Sequence, residues 1–562
     1  MDDVTHPIRS VVRERIAAAW ARLVEDGTVP PLPEDEDVPV EVVRPADPTH
    51  GDLSCNLGLK LARPLRRPPM AIAQALAEAL LQDGAIGDGG PLQRAEAASP
   101  GFLNLRLSPS YLERVLDSAR EAQVGFGRVA TNKPRNINVE FVSANPTGPL
   151  TVGNARGAFV GDLLCRVLEA AGHRVTREYY FNDSGRQVDV LGGSVAALRL
   201  GLSLPEEAYR GDYVRELADA VPDEIWARAT ETGVERDGIV GAWASERIRI
   251  GIEESLERLG VHFDVWKSEA SLHTEGWVSR AVERLRQAGY VYEADNATWF
   301  RSTDFGDDKD RVIYRTGGDP TYFASDIGYV TEKFSRGFDW LIYIWGADHH
   351  GTVARNRYAA KAMGYDIKAV QMLLVAWVRF VRDGQEVSMS KRAGEFITLD
   401  ELLAEVGNDA ARWFFGSRSH NSGIDFDIEA AKDETAANPV HYVRYAHARI
   451  ASILRKAASL DLHPSDSLAD SLADDPVAQG LAKEILRLPE VIEDSALAQE
   501  TQGVTAYATE LATTFHAYYR DRRVVDAADP ATSAARLALV DAARISLANT
   551  LGLLGISAPE SM

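Results

Sequence analysis

Residues 139–187 read VEFVSANPTGPLTVGNARGAFVGDLLCRVLEAAGHRVTREYYFNDSGRQ, and the periodicity changes twice along them. Ile137, Val139 and Phe141 alternate with Asn138, Glu140 and Val142 in a β-rich run, and the Pro- and Gly-bearing loop NPTGPLTVGN follows before any helical pattern begins. Then Val160, Leu163, Leu164, Val167, Leu168 and Ala171 fall at three- and four-residue spacing, with Asn154 placed to cap the start and Gly172 where a helix stops. A second β-rich run, Arg174 to Phe181, completes a βαβ unit.

Such a unit sets the loop after its first strand, and the amino end of its helix, at the mouth of a parallel sheet where nucleotides bind. Free backbone N–H groups there favour phosphate. No GxGxxG opens the helix and no GK[ST] follows Gly148 or Gly153, so neither the dinucleotide fingerprint nor a P-loop is present. At these residues the chain resembles the class I aminoacyl-tRNA synthetases, most closely the arginyl-tRNA synthetases. That family's loop reads ANPTGPLHVGHARGA before a strand like REYYIND; here the segments are ANPTGPLTVGNARGA and REYYFND.

The family's two signature histidines correspond to Thr151 and Asn154, so its HIGH motif reads Thr-Val-Gly-Asn. The resemblance implies that residues here donate to ATP phosphates and stabilise the charge that develops as pyrophosphate leaves. A Thr hydroxyl and an Asn amide each still donate a neutral hydrogen bond, but a charge-assisted bond is roughly twice as strong. The expectation is a kept geometry with reduced transition-state stabilisation, unless other cations compensate. Asn154 serves equally as a plain helix cap, and both roles can hold at once.

At 562 residues the chain has length for about three or four domains. Its start, Met1-Asp2-Asp3, carries no basic leader pattern, and no apolar run is read as approaching the ~20 residues of a membrane span, so a cytoplasmic protein with no membrane partner is expected. Cys55 and Cys165 lie far apart and read as structural residues, with no disulfide or protein-bound metal. A net charge of −22 argues against general nucleic-acid affinity, leaving local patches for any RNA contact. No internal repeat is evident.

Residues 1–115 read as a small α+β domain: an Arg- and Ala-rich helix, a second helix over Met70 to Leu81, and a strand over Phe102 to Leu107. By resemblance this domain touches the elbow of a tRNA, with Arg63, Arg66 and Arg67 as the basic patch; without the resemblance the patch is a solvated loop. Residues 125–400 form the catalytic domain, with helices of about 188–262 inserted between two halves of its sheet. A long helix is read over Glu235 to Leu259, and GVHFDVWKSE returns the chain to the sheet.

In the run YVYEADNATWFRSTDFGDDKDRVIYRTGGDPTYFASDIGYVTEKF, Tyr322 and Asp326 are four apart and share a face if Tyr322 begins a helix. The resemblance assigns them, with Glu140, Ser143 and Asn145, to the substrate arginine. A guanidinium is planar, permanently charged and rich in donors, which suits carboxylates joined by a Tyr and an Asn. Taken singly, each of these residues reads as a surface charge, a turn or a partly buried aromatic.

Leu341 to Trp345 is an apolar strand running into GADHHGTVAR. Adjacent His349 and His350 lack further ligands at metal-site spacing. The resemblance instead gives Gly346, Asp348 and His349 to the adenosine side, beside Pro149, Thr151, Gly153 and Asn154, with Mg2+ arriving on ATP. RDGQEVSMSKRAGEF resembles the family's mobile KMSKS loop: Ser388 replaces its first lysine, while Met389, Ser390, Lys391 and Arg392 keep the pattern, and Lys391 supplies a point charge for the leaving pyrophosphate.

From about Asp400 the pattern is helical almost throughout, and 401–562 resembles the family's anticodon-binding bundle. Tyr442, Tyr445 and Arg449 fall on one helical face, and FHAYYRDRRV offers His516, Tyr519, Arg520 and Arg523, a set able to stack unpaired bases and hold phosphates. The fold expected is thus α/β and multidomain: a Rossmann-like parallel-sheet catalytic domain between an N-terminal α+β domain and a C-terminal helical bundle. The resemblance implies a monomeric arginine–tRNA ligase using ATP, arginine and arginine tRNA, with activation requiring bound tRNA and Thr151, Asn154 and Lys391 as the catalytic groups. Loss of both histidines motivates an alternative, an impaired paralogue that binds arginine or tRNA in a regulatory role. A small-molecule nucleotidylyltransferase is a third reading, which leaves the helical C-terminal third unexplained.

Overall fold

The computed structural model describes residues 6–33, 36–87, 89–232, 235–387, 398–468 and 471–562. The N-terminal region packs a helix over Ile8–Glu25 and two more over Leu57–Leu65 and Pro69–Gln82 with a four-stranded antiparallel sheet, in spatial order Val42–Val43, Leu53–Cys55, Phe102–Leu107, Leu92–Ala98. In FLNLRL the alternation is physical: Leu103, Leu105 and Leu107 are buried and Arg106 is exposed. Both cysteines are buried and free.

The central domain is built on β1 (Asn136–Glu140), α1 (Val152–Ala170) and β2 (Arg174–Phe181). Helices α2 (Arg186–Arg199) and α3 (Arg236–Arg258) flank the insertion, and β3 (Val265–Ser268) returns to the sheet. Then come α4 (Tyr322–Ser335), β4 (Trp340–Gly346), α5 (His350–Ala362) and β5 (Val370–Val375). The five strands lie in the order β5-β4-β1-β2-β3, all parallel. Helices cover both faces, which is why β1 and β4 are nearly continuous buried runs. Close packing of α1 on β1 requires glycine at 161, because a Cβ there would meet the Phe141 ring at 2.3 Å.

One reading is refined and one is corrected. The stretch after Asp400 is not purely helical: β6 (Val378–Arg382) pairs in parallel with β7 (Ile424–Asp427), and α6 (Asn408–Gly416) between them packs on α1. Ile424 and Phe426 are buried while Asp425 and Asp427 are exposed, a period of two that a four-residue strand shows too briefly to stand out. The C-terminal bundle contains α7 (Pro439–Ala458), α8 (Gln502–Asp521) and α9 (Pro530–Leu554). By length and composition α9 is apolar enough to cross a membrane, contrary to the sequence reading; 67% of its apolar window is buried inside the protein, where it packs on α7 and α8.

Candidate active site

The chain leaves β1 toward β2 on one side and β4 toward β5 on the other, so the sheet reverses its strand order between β1 and β4. At the carboxyl ends of these strands, the place where open α/β sheets bind ligands, lies a cavity of about 1420 Å3. The loop after β1, the first turn of α1, residues 346–349 and residues 375–378 line it, with 206–210 from the insertion.

The first turn of α1 differs from expectation. Thr151, not Asn154, is the N-cap, and Asn154 is the third helical residue. Asn154 Oδ1 accepts from the Thr151 backbone N–H and from the Thr151 hydroxyl, each at 3.1 Å. The hydroxyl proton is therefore directed at Asn154 and not at the cavity, leaving the two Asn154 Nδ2 hydrogens as donors for a ligand. Pro149 and Gly153 also line the cavity.

Immediately after β1, Val142 and Ser143 adopt φ of 66° and 44°. For a β-branched residue this is a strained conformation, and it is held by several bonds. The Ser143 hydroxyl donates to Glu140 Oε1 at 3.3 Å and accepts from the Tyr180 N–H at 3.2 Å, and the Tyr179 hydroxyl donates to the Ala144 carbonyl at 2.8 Å and accepts from the Ala144 N–H at 3.0 Å. Asn145 donates to Gln187 Oε1 at 2.8 Å. Ser143 and Asn145 thus reach the same cavity as Asn154, Gly346 and Asp348. Asp348 and His349 form a turn in which their side chains approach at 3.7 Å.

The other arginine-side residues lie off this cavity. Tyr322 begins α4 and is 63% exposed, and Asp326, one turn on, is partly buried and accepts from Asn356 Nδ2 at 3.1 Å. Burial pushes the Asp326 carboxyl up to about 6, against the Asn356 bond and the nearby Arg355 charge, which pull it down. Glu140 is buried and accepts from Lys333 Nζ at 2.6 Å, so its charge already has a partner. The register makes this cluster: Tyr343, Glu140 and Glu178 face one another across β4, β1 and β2, on the side that α4 covers.

Arg156, which the sequence reading passed over, is fully buried at the wall of the cavity. It donates to the carbonyls of Ala376 at 2.9 Å and Ser419 at 2.8 Å, and it has no acidic partner among the described residues. Burial lowers it to about 10, so it stays charged at neutral pH. Its position on the buried row of α1, with Val152 and Phe159, was the available signal.

Met389, Ser390 and Lys391, with Ser388 and Arg392, lie outside the described residues. The chain that follows them is tied to the signature turn: Thr398 bridges to Thr151, and the Leu399 N–H donates to the Leu150 carbonyl at 3.0 Å. Among the described residues no three His, Cys, Asp or Glu side chains stand together as a metal site.

On the bundle, Tyr442 and Tyr445 of α7 meet His516 of α8 with ring centroids 5.0 and 6.0 Å apart, and Arg449 lies over the rings of Tyr445 and Tyr519 at 5.3 and 5.2 Å. Arg520 and Arg523 are exposed but approach Asp521 and Asp526 at 3.0 and 3.3 Å. In the N-terminal region Arg66 ends a helix with a left-handed φ of 50°, and Arg67 donates to the Thr28 carbonyl at 2.5 Å.

Three family models match in succession: arginyl tRNA synthetase N terminal domain over 10–107, tRNA synthetases class I (R) catalytic domain over 118–453, and DALR anticodon binding domain over 443–562. The arginine–tRNA ligase of Thioalkalivibrio sulfidiphilus is 43% identical, covering 97% of this chain and 99% of its own. That of Geobacillus kaustophilus is 41% identical over 100% of both. Arginyl-tRNA synthetase of Thermus thermophilus shares the fold with a TM-score of 0.76 at 24% identity, over 99% of this chain and 100% of that one.

Proposed function

The chain belongs to the arginyl-tRNA synthetases of class I, and from that premise we propose how its own residues divide the reaction of an arginine–tRNA ligase. In that reaction the arginine carboxylate attacks the α-phosphate of ATP, pyrophosphate leaves, and the arginyl group passes from the adenylate to a hydroxyl of the terminal adenosine of arginine tRNA, with AMP as the leaving group. The substrates are positioned and the developing charge is stabilised; no side chain is needed as a nucleophile.

We assign the nucleotide to Pro149, Gly153, Asn154, Gly346, Asp348 and His349, with Asp348 accepting from a ribose hydroxyl. Asn154 donates to phosphate through Nδ2 while Thr151 fixes its amide, and buried Arg156 supplies positive potential from behind. Lys391, with Met389 and Ser390, acts on the leaving pyrophosphate, and Mg2+ arrives with ATP. Ser143 and Asn145 hold the reacting end of arginine, and Asp326 and Tyr322 its guanidinium. Glu140, closed by Lys333, positions Ser143.

The observation that supports this division most is the shared cavity, which brings Ser143 and Asn145 against Asn154, Gly346 and Asp348. Arg66 and Arg67 are proposed on the tRNA elbow, and Tyr442, Tyr445, Arg449, Arg520 and Arg523 on the anticodon loop. The sequence reading sets domains at 1–115, 125–400 with the insertion at 188–262, and 401–562; we propose to move the last boundary to about 432, because β7 pairs with β6. We propose that it works in the cytoplasm, where ATP and tRNA meet, and that it acts as a monomer.

Steady-state aminoacylation of the Asp348→Ala and Asn145→Ala variants tests the division. Asp348→Ala is expected to raise the KM for ATP and leave that for arginine, and Asn145→Ala to do the reverse. Equal effects of each variant on both KM values would overturn it.

A further inference from the structure

A cavity that receives a triphosphate gains most from cations on its wall, and among the described residues its lining carries three basic side chains, Arg156, Arg210 and His349. Two of them are engaged. Arg156 is buried and commits its terminal nitrogens to the carbonyls of Ala376 and Ser419, and His349 approaches Asp348 at 3.7 Å. Arg210 is exposed, and its guanidinium makes one bond among the described residues, from Nη2 to the Pro205 carbonyl of its own loop at 3.3 Å, long for an N–H donor. No carboxylate among the described residues pairs with it, although the chain carries 83 acids against 61 Lys and Arg. Glu206 and Glu207 of the same loop also line the cavity, but Glu207 pairs with Arg186 at 2.6 Å.

The backbone that carries Arg210 is fixed on both sides. The Tyr209 N–H donates to Ser194 Oγ at 3.0 Å, and that hydroxyl donates to the Val190 carbonyl at 2.6 Å within α2. Beyond Arg210, Tyr213 of the helix Asp212–Ala220 donates its hydroxyl to the Thr147 carbonyl at 3.0 Å. The same ring lies against Gly148, where a Cβ would stand 3.3 Å from the hydroxyl oxygen. Thr147 and Gly148 lead directly into Pro149, Thr151 and Asn154, so the insertion is tied to the turn that holds the proposed phosphates. The root of the side chain is set, and its guanidinium is left without a competing charge.

We propose that Arg210 is a further catalytic residue, its guanidinium contacting the β- and γ-phosphates of ATP as pyrophosphate leaves. This rests on the assignment of the phosphates to the first turn of α1. When the arginine carboxylate oxygen bonds to the α-phosphorus, the bond from that phosphorus to the bridging oxygen breaks and its electron pair goes with pyrophosphate. Asn154 offers that charge only neutral donors. A guanidinium adds a permanent charge and a planar fork matched to two phosphate oxygens. The insertion thereby contributes to the chemistry as well as to the wall.

The test is ATP–pyrophosphate exchange by the full chain with arginine and arginine tRNA present, using Arg210→Ala and Arg210→Lys. Arg210→Ala is expected to lower kcat/KM for ATP about 100-fold and to raise the KM for pyrophosphate, with the arginine KM and the melting temperature unchanged. Arg210→Lys keeps the charge without the fork and should recover part of the loss. Competition separates the phosphates from the nucleoside: the inhibition constant of α,β-methylene-ATP should rise about tenfold in Arg210→Ala, while that of AMP stays the same. Equal shifts for both competitors would show that Arg210 only shapes its loop, and would overturn the proposal. So would a raised KM for tRNA in aminoacylation with α,β-methylene-ATP inhibition unmoved, which gives the guanidinium to a tRNA phosphate. Asn154→Asp is run in parallel. If it abolishes exchange and Arg210→Ala leaves it intact, Arg210 is excluded and the phosphate assignment stands; if neither variant changes exchange, that assignment has failed as well.

Discussion

Asn154 Oδ1 accepts two hydrogen bonds from Thr151, one from its backbone and one from its hydroxyl, both at 3.1 Å. The residues standing where the family has two histidines therefore form a unit. Thr151 fixes the orientation of the amide, and the amide presents its N–H groups to the cavity.

That arrangement separates fold from chemistry in one substitution. Asn154→Asp keeps an oxygen for both Thr151 bonds and replaces the N–H donors with negative charge at the proposed phosphate position. Thermal stability should be unchanged or slightly higher, since an acid in the first helical turn is favourable, while exchange should fall by at least about 100-fold. Exchange within threefold of the parent would place the phosphates elsewhere.

Restoring both histidines is the converse experiment. Thr151→His with Asn154→His loses the reciprocal bonds of the helix start, which are worth about 0.5–2 kcal/mol, so the melting temperature should drop. The kcat for exchange should rise or stay level, because charged donors replace neutral ones. A large fall in kcat would mean that the pocket is fitted to the present pair, with Arg156 behind it.

Lys333 is a matter of stability first. Lys333→Met leaves Glu140 buried without its cation and should destabilise the catalytic domain by about 3–5 kcal/mol. Adding Glu140→Gln should recover most of that. Urea unfolding followed by tryptophan fluorescence measures both, and a double variant no more stable than Lys333→Met would show that the ammonium acts through its contacts with Tyr329 and Tyr343 instead.

Arginine affinity should depend on pH through Asp326, whose carboxyl is held up at about 6 by burial. Below that value the group is protonated and offers no charge to the guanidinium; above it the carboxylate is present. The arginine KM should therefore climb about tenfold per unit as pH falls below about 6, the ATP KM should not follow, and Asp326→Asn should flatten the profile. A flat arginine KM between about pH 5 and 7.5 in the parent would contradict the assignment.

Much of this architecture is legible in the chain itself. The strands Phe102–Leu107 and Arg174–Phe181 stand at the residues their alternation indicates, and α1 ends where Gly172, at a φ of 84°, turns the chain. What escapes is what depends on distant partners. Lys333 in TEKF looks like a surface charge, and its partner Glu140 is 193 residues away. The left-handed Val142 and Ser143 carry no glycine to announce them, and the hairpin of Val291–Ala294 with Ala297–Phe300 turns on Asp295 and Asn296, whose φ of 55° and 56° such residues adopt without a sequence signature as plain as Asn-Gly. Of the cavity, Asn145, Asn154, Gly346 and Asp348 were named because they stand in motifs that resemble the family's; Arg156 was not, since only the packed structure shows it buried without an acidic partner.

The measurement that bears most directly on the ligase itself is arginine-dependent ATP–pyrophosphate exchange by the purified chain, with and without arginine tRNA under otherwise identical conditions. We expect exchange with tRNA present and none without it, which establishes activation of arginine by a site carrying Thr151 and Asn154 in place of histidines. No exchange in either case, with arginine and tRNA binding separately confirmed, would contradict it.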